Sequence, residues 1–429
     1  MLRCFQTNVW RYLFMFLCID LKSFYSSVEA VERGLDPMTT KLVVADPDRG
    51  KGTICLAVSP ALKALGVKNR CRVYEIPNDI EYIMARPRMK LYLEYSARIY
   101  GIYLKYFSKN DIHVYSVDEA FMDTSTYGLI YPVSAKDLGL SIMKDILDTT
   151  GLRSTCGIGT NLYLAKIALD ILSKHSPDYI GILDEKTYLE KLWHHRPLTD
   201  FWRIGSHTQA KLAAYGLFDM YDIAHANENM IYSILGKDAE LLIDHSWGRE
   251  SVTMGDIKNY KPSVHSLSSG QVLLRDYSAE EAELIVKEMA DLLCLDMLQK
   301  SVVTNSFALG IGYSHLYDLN GSTGSVALPV MTNSSRIVIP YLISLYWKIV
   351  NYGTPIRQIF LSANKIESQD FVQLNLFVDP DELIKDRNLQ TAVNSIKAKY
   401  GKNSILRGMN LYDHSTAIQR NRQIGGHSE

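Results

Sequence analysis

Ile19-Asp20-Leu21-Lys22-Ser23-Phe24-Tyr25 is the stretch on which the fold turns. It closes an apolar run, Tyr12-Leu13-Phe14-Met15-Phe16-Leu17-Cys18, that reads as a buried central strand. A secretory leader would continue into a small-residue cleavage site. Asp20 and Lys22 follow instead, and the run is too short to span a bilayer. A carboxylate at the end of such a strand is expensive to desolvate unless something compensates it, and a divalent cation is a common compensation. A plain helix N-cap is the competing reading of Asp20 taken alone.

Outward from there, Ser26 to Glu32 reads as a helix start, with serines ahead of acids. Residues 41–45 and 52–58 read as short strands around the turn Asp46-Pro47-Asp48-Arg49-Gly50, and 60–65 as a short helix ending at Gly66. A Tyr-rich helix is expected over 91–107, a strand-like stretch over 113–123, and helices over 138–150 and 162–172. Residues 181–247 look helical, and strands and helices alternate again from Ser263. The chain after Glu367 is more polar and reads as a loose tail. The order is α+β with an inserted module.

The 429 residues exceed one ordinary domain, and 47% hydrophobic with 22% charged residues is globular composition. A net charge of -1 argues against a strongly cationic, histone-like binder but leaves a local basic face open. The 6 cysteines form no C-x-x-C or zinc-ligand spacing, and the 11 histidines no H-E-x-x-H. Scattered single cysteines fit a reducing cytoplasm, and no membrane partner is expected.

Two further motifs carry chemistry. Ser116-Val117-Asp118-Glu119-Ala120-Phe121-Met122-Asp123 puts adjacent acids inside a strand pattern. A strand sends neighbours to opposite faces, so a turn or bulge is needed to converge both on one ion. A solvated hairpin tip is the plainer alternative. With Asp20, however, the acids offer what two-metal phosphoryl chemistry needs: hard oxygens from separate strands around ions about 3.5–4 Å apart. Gly157-Ile158-Gly159-Thr160-Asn161-Leu162 reads as a glycine turn into a helix bearing Lys166. Helix N-termini and lysines suit phosphate oxygens. An amphipathic helix with a snorkelling lysine is the plainer reading of the motif by itself.

In this order and spacing the three blocks resemble the Y-family translesion DNA polymerases, most closely the UmuC-like branch, from about Leu13 to beyond Ile366. The resemblance implies an α+β right hand. Its parts would be a ferredoxin-like palm (12–31 and 90–179), small fingers (32–89), a helical thumb with a helix-hairpin-helix (180–248), an α/β little finger (262–365) and a tail (366–429). It implies a DNA-directed polymerase of low fidelity, acting in translesion synthesis and the SOS response, with two Mg2+ ions, primer-template DNA and dNTP. Asp20, Asp118 and Glu119 match the family's metal acids, and Leu21 a carbonyl that binds one ion. Ser23 and Phe24 match amides facing the triphosphate, Tyr25 the steric gate against a ribose 2′-hydroxyl, and Lys166 a lysine on the triphosphate. Lys63 stands where many members have arginine, keeping the charge without the bidentate fork, and Pro60 stands where many have tyrosine. Residues 201–212 fit the second half of the helix-hairpin-helix, with Arg203 in place of the usual glycine and Lys211 within reach of phosphate. The little finger is expected to add DNA contacts through Ser268, Gln271 and Arg275.

In the tail, Gln373-Leu374-Asn375-Leu376-Phe377 reads in isolation as one amphipathic strand. After a polymerase core it resembles the peptide that binds the bacterial sliding clamp (the beta subunit). An activating accessory protein, as in the UmuC-like branch, is a further partner the resemblance allows. The alternatives are a non-catalytic DNA- and clamp-binding accessory protein, against which the intact acids argue, and a nucleotide cyclase, which would lack the thumb, little finger and clamp peptide.

Overall fold

A computed structural model describes residues 15–127, 133–262, 265–369 and 380–428. The chain divides into two compact units, Met1–Tyr260 and Lys261–Glu429.

In the first unit the apolar run forms β1 (Phe16–Leu21), with Leu17, Cys18 and Ile19 wholly buried. Helix α1 (Phe24–Val31) follows at once, earlier than the serine pattern suggested. Ser26 and Ser27 sit inside it and donate back to the carbonyls of Ser23 and Lys22. The inserted module holds β2 (Leu42–Val44), β3 (Ala57–Val58), α2 (Pro60–Ala64) and β4 (Ile83–Ala85), in the sheet order β3-β2-β4. The expected strand over 52–58 shrinks to Ala57–Val58 and a single bridge from Ile54 to Arg72. Then come α3 (Met89–Tyr106), β5 (Ile112–Val114), β6 (Glu119–Asp123), α4 (Ala135–Thr150), β7 (Ser154–Gly159), α5 (Leu162–Ile167) and β8 (Ile180–Leu183). The helix expected over 162–172 ends as α-helix at Ile167 and continues as a π-turn, Ala168–Leu172.

The main sheet has the order β5-β6-β1-β7-β8, with β1 at its centre and antiparallel to both neighbours. The glycines read as a turn lie within β7. A Cβ on Gly157 would come 2.0 Å from the Ala165 carbonyl oxygen, and one on Gly159 2.1 Å from the Ala165 nitrogen. Glycine there lets α5 lie directly on the strand. Beyond β8 the chain is helical: α6 (Glu185–Leu192), α7 (Ser206–Ala213), α8 (Met220–His225), α9 (Glu228–Leu235), α10 (Asp238–Ser246) and α11 (Met254–Asn259).

The second unit is a sheet of order β11-β10-β12-β9, built from β9 (Ser266–Tyr277), β10 (Val302–Tyr313), β11 (Ser322–Thr332) and β12 (Ile356–Asn364), with β13 (Glu367–Ser368) pairing β10. Helices α12 (Ala279–Gln299) and α13 (Ser335–Ile349) share one core with the sheet, through Ile285, Met289, Phe307, Leu309, Leu342 and Tyr346.

The described part of the tail beyond 380 is not loose. Helix α14 (Pro380–Tyr400) runs into a short turn, α15 (Ala417–Asn421), and a hairpin of β14 (Gln423–Ile424) and β15 (His427–Ser428). Polar residues there do what apolar ones do elsewhere. Buried Glu288 on α12 accepts hydrogen bonds from Asn410, Ser415 and Thr416, and Arg420 donates to Gln271 and Ser269 on β9. Among the described residues no helix is long and apolar enough to cross a membrane.

Candidate active site

Antiparallel pairing sets Asp20 of β1 opposite Glu119 of β6. The β5–β6 connection supplies the turn that the acid pair required. Tyr115 and Ser116 both donate their amides to the Glu119 carbonyl, and the Leu21 amide bonds the Asp118 carbonyl at 3.0 Å. Ser116 Oγ donates to Asp118 Oδ1 at 2.5 Å, fixing that carboxylate at the hairpin.

The acids are not equivalent. Glu119 is buried; its Oε1 accepts from Cys18 Sγ at 3.2 Å and its Oε2 from Lys166 Nζ at 2.8 Å. Burial alone would lower the Lys166 pKa, but Asp170, 3.1 Å away, and Glu119 carry it above its ordinary value. The Asp20 carboxylate accepts no hydrogen bond from any described residue; Thr155 Oγ1 reaches only the Asp20 backbone carbonyl, at 3.5 Å. Burial first, then Asp118 and Glu119, push the Asp20 carboxyl up to about 7. A half-buried acid set against two others calls for a cation, and an all-oxygen donor set suits a hard divalent one. As they stand, no three acidic, histidine or cysteine side chains among the described residues converge closely enough to hold a metal. Glu119 is turned to Lys166 instead.

Beside the acids lies a mirror-image crowd of cations. Burial, then Lys174, lowers the Lys63 pKa; burial, then Arg153 and Lys174, lowers that of Lys22. Lys63 Nζ donates to Ser23 Oγ at 2.8 Å, and the Lys22 amide bonds the Arg153 carbonyl. Ser23 adopts left-handed backbone, φ 49°, at the start of α1. Crowded lysines want an anion as crowded acids want a cation. Lys22, Arg153 and Lys174 escaped the sequence reading because each stands on a different segment and looks singly like surface charge.

Of the other expected residues, Tyr25 stays near the acids, where burial and then Asp118 raise its pKa, and the rest are dispersed. Tyr25 stacks on Tyr92. Arg203, exposed at φ 70°, lies over the Trp202 ring at 5.0 Å, and exposed Lys211 sits on α7. In the second unit Arg275 is engaged by Glu281 at 2.9 Å and by His414, and Gln271 by Arg420. Gln373, Leu374, Leu376 and Phe377 lie outside the described residues.

Comparison with known proteins follows this geometry. The impB/mucB/samB family matches residues 19–170, and its C-terminal domain matches 264–376. The chain belongs to this family. A protein of Bacillus subtilis (strain 168) assigned to UV-damage repair, UvrX, is 30% identical over 96% of this chain and 97% of its own. DNA polymerase IV 2 of the same organism is 27% identical, over 95% and 97%. Among solved structures, a Y-family DNA polymerase chimera of Dbh and Dpo4 aligns at a TM-score of 0.65 with 20% identity, covering 82% of this chain and 99% of that one. The fold is therefore that of the Y-family polymerases.

Proposed function

We propose that the protein is a template-directed DNA polymerase of the translesion class, transferring a nucleotide from dNTP to a primer 3′-hydroxyl. The observation that carries this is the meeting of two crowded clusters: acids around Asp20, of which Glu119 is paired with Lys166, and cations around Lys63, of which Lys174 reaches Asp170 at 3.7 Å. A magnesium-bound triphosphate satisfies both. Family membership and relatives named DNA polymerase IV support the same reading.

Asp20, Asp118, Glu119 and the Leu21 carbonyl would hold two Mg2+ ions, which lower the pKa of the attacking hydroxyl and neutralise the leaving pyrophosphate. Ser23 and Phe24 amides, Lys63 and Lys166, with Lys22 and Lys174, bind the triphosphate. When the triphosphate draws Lys166 away, Glu119 is released to join Asp20 and Asp118. Tyr25 takes the place that a ribose 2′-hydroxyl would need. Arg203 and Lys211 grip the DNA backbone by charge, making binding salt-sensitive. Arg275 can contribute only by giving up Glu281. The small inserted module, 32–89, leaves little protein to close over the base pair and favours tolerance of damaged templates, with low fidelity, in repair and the SOS response. Gln373, Leu374, Leu376 and Phe377 dock on the sliding clamp, and an accessory protein can activate the enzyme in the cytoplasm.

Primer extension with dNTPs and magnesium, comparing wild type with Asp118→Ala, tests the core of this. Extension that disappears in the variant is expected. DNA binding without extension by the wild type would instead indicate a non-catalytic accessory protein or a polymerase that needs an absent partner. Leu376→Ala with Phe377→Ala should abolish clamp binding; unchanged affinity removes the clamp from the scheme.

A further inference from the structure

Tyr115 precedes Ser116 in the β5–β6 connection, and it is 46% exposed although its backbone closes the turn of the acids. Its amide donates to the Glu119 carbonyl at 3.0 Å, and its ring centroid lies 5.9 Å from Lys166 Nζ. Buried Phe121 of β6 meets the ring edge-on, with centroids 5.9 Å apart and planes at 83°. The Tyr115 hydroxyl reaches a partner far along the chain. Trp202 Nε1 donates to it at 3.1 Å, and the two rings meet at 75° with centroids 6.0 Å apart.

Trp202 lies in the loop ahead of α7, half-buried, beside exposed Arg203, whose guanidinium covers its ring. It is backed from the other parts of the helical region. Buried His245 of α10 lies nearly parallel to it, planes 22° apart, and stacks in turn on Tyr163 of α5 with centroids 3.8 Å apart. Helix α5 is the one that bears Lys166. An indole N–H donates and cannot accept, so its direction decides what it binds. Here it is directed at the hairpin of the acids. The helical region is tied to the main sheet without this bond: Lys258 of α11 donates to the Ile112 carbonyl at 2.6 Å, and Met254 shares a core with Cys18 and Phe121. The Tyr115–Trp202 contact therefore does not hold the two parts together; it sets one distance between them.

We infer that Tyr115 and Trp202 are positioning residues, whose contact sets how far the DNA-gripping loop stands from the acids and so where the primer 3′-hydroxyl comes to rest. This rests on reading the protein as a polymerase whose Arg203 loop holds the DNA backbone. Phosphate contacts fix the register and orientation of a duplex on a protein. Nucleotidyl transfer needs reacting atoms roughly 3–3.5 Å apart, and a misplacement of about 1 Å costs on the order of a hundredfold in rate. A duplex held at Arg203 delivers its primer end to Asp118 only as accurately as the protein between them is fixed. Two side chains and one hydrogen bond span that interval.

The test measures single-nucleotide addition to primed DNA by wild type, Tyr115→Phe, Trp202→Phe and the double variant. Active sites are counted by titration with primed DNA, and DNA affinity is read by fluorescence anisotropy. Tyr115→Phe removes the accepting oxygen and keeps the face toward Lys166. Each single change should lower kcat per active site about fivefold, with KM for dNTP and Kd for DNA within about twofold of wild type. The double variant should be no slower than the slower single one, because both changes break one contact. A merely structural contact would lower the melting temperature and the fraction of active sites while leaving kcat per active site unmoved, and that result overturns the inference. So do single effects that multiply in the double variant. Should Trp202→Phe fold poorly, Tyr115→Phe decides, since it trims one hydroxyl from a partly exposed ring. A wild type that adds no nucleotide is a failure of the polymerase reading, seen before any variant is compared, and this inference falls with it.

Discussion

Asp20 shows how a single position can set chemistry against stability. Its carboxyl titrates near about 7 in the fold, against an ordinary 3.8, because burial and two neighbouring acids disfavour its charge. The folded state therefore keeps the proton longer than the unfolded chain does. Stability is full below about 4 and falls as pH rises to about 7. Asp20→Asn removes that falling limb. It should abolish extension yet leave the fold about 2–4 kcal/mol more stable than wild type at pH 8 without added metal. Thermal melts at pH 5 and pH 8 check this, and melting points that coincide at pH 8 would contradict the crowding. Magnesium should raise the wild-type melting temperature at pH 8 and leave the variant's unmoved. Asp20, Asp118 and Glu119 were legible because an acid inside an apolar strand breaks its pattern. Lys22, Lys174 and Arg153 broke no pattern, and only proximity reveals them.

At the scale of elements, β7 and α5 depend on an absence of side chains. The Cβ that Gly159→Ala adds would stand 2.1 Å from the Ala165 nitrogen, where backbone cannot give way as a side chain can. The substitution should cost about 3 kcal/mol or more and shift the denaturation midpoint accordingly; a loss under about 1 kcal/mol would mean the helix can lift off the strand. The sequence reading took these glycines for a turn. A Gly-x-Gly ahead of a helix looks the same whether the chain bends there or a helix lies against it. Between β9 and α12, Arg275 holds the Glu281 carboxyl down at about 2, from an ordinary 4.5. A depressed acid gives stability above its unfolded pKa and loses it as pH falls toward its folded one. Arg275→Ala should cost about 1 kcal/mol at pH 7 and almost nothing at pH 2, read from urea titrations at the two pH values.

At the scale of the whole molecule the main departure is the tail. Residues 401–428 look like solvent-facing chain, yet they provide the partners of buried Glu288 and carry the half-buried Arg420, which donates to Gln271 and Ser269. Deleting them strands a carboxylate in the core of the second unit. The expected loss is about 3 kcal/mol or more in that unit, visible by calorimetry as an earlier transition. An unchanged transition would show that Glu288 finds water or another donor instead.

The sequence by itself determined the central strand, the presence of acids at the ends of neighbouring strands, the helix that bears Lys166 and the α+β order, because each of these is written in local periodicity and its interruptions. Tertiary structure alone decided that Glu119 rests on Lys166, that Lys63 reaches Ser23, that Tyr92 stacks on Tyr25, and that a polar tail closes over Glu288. Those outcomes depend on distance between segments far apart in the chain. Like charges, stacked rings and buried carboxylates acquire their energies only when the fold brings such segments within a few ångströms of each other.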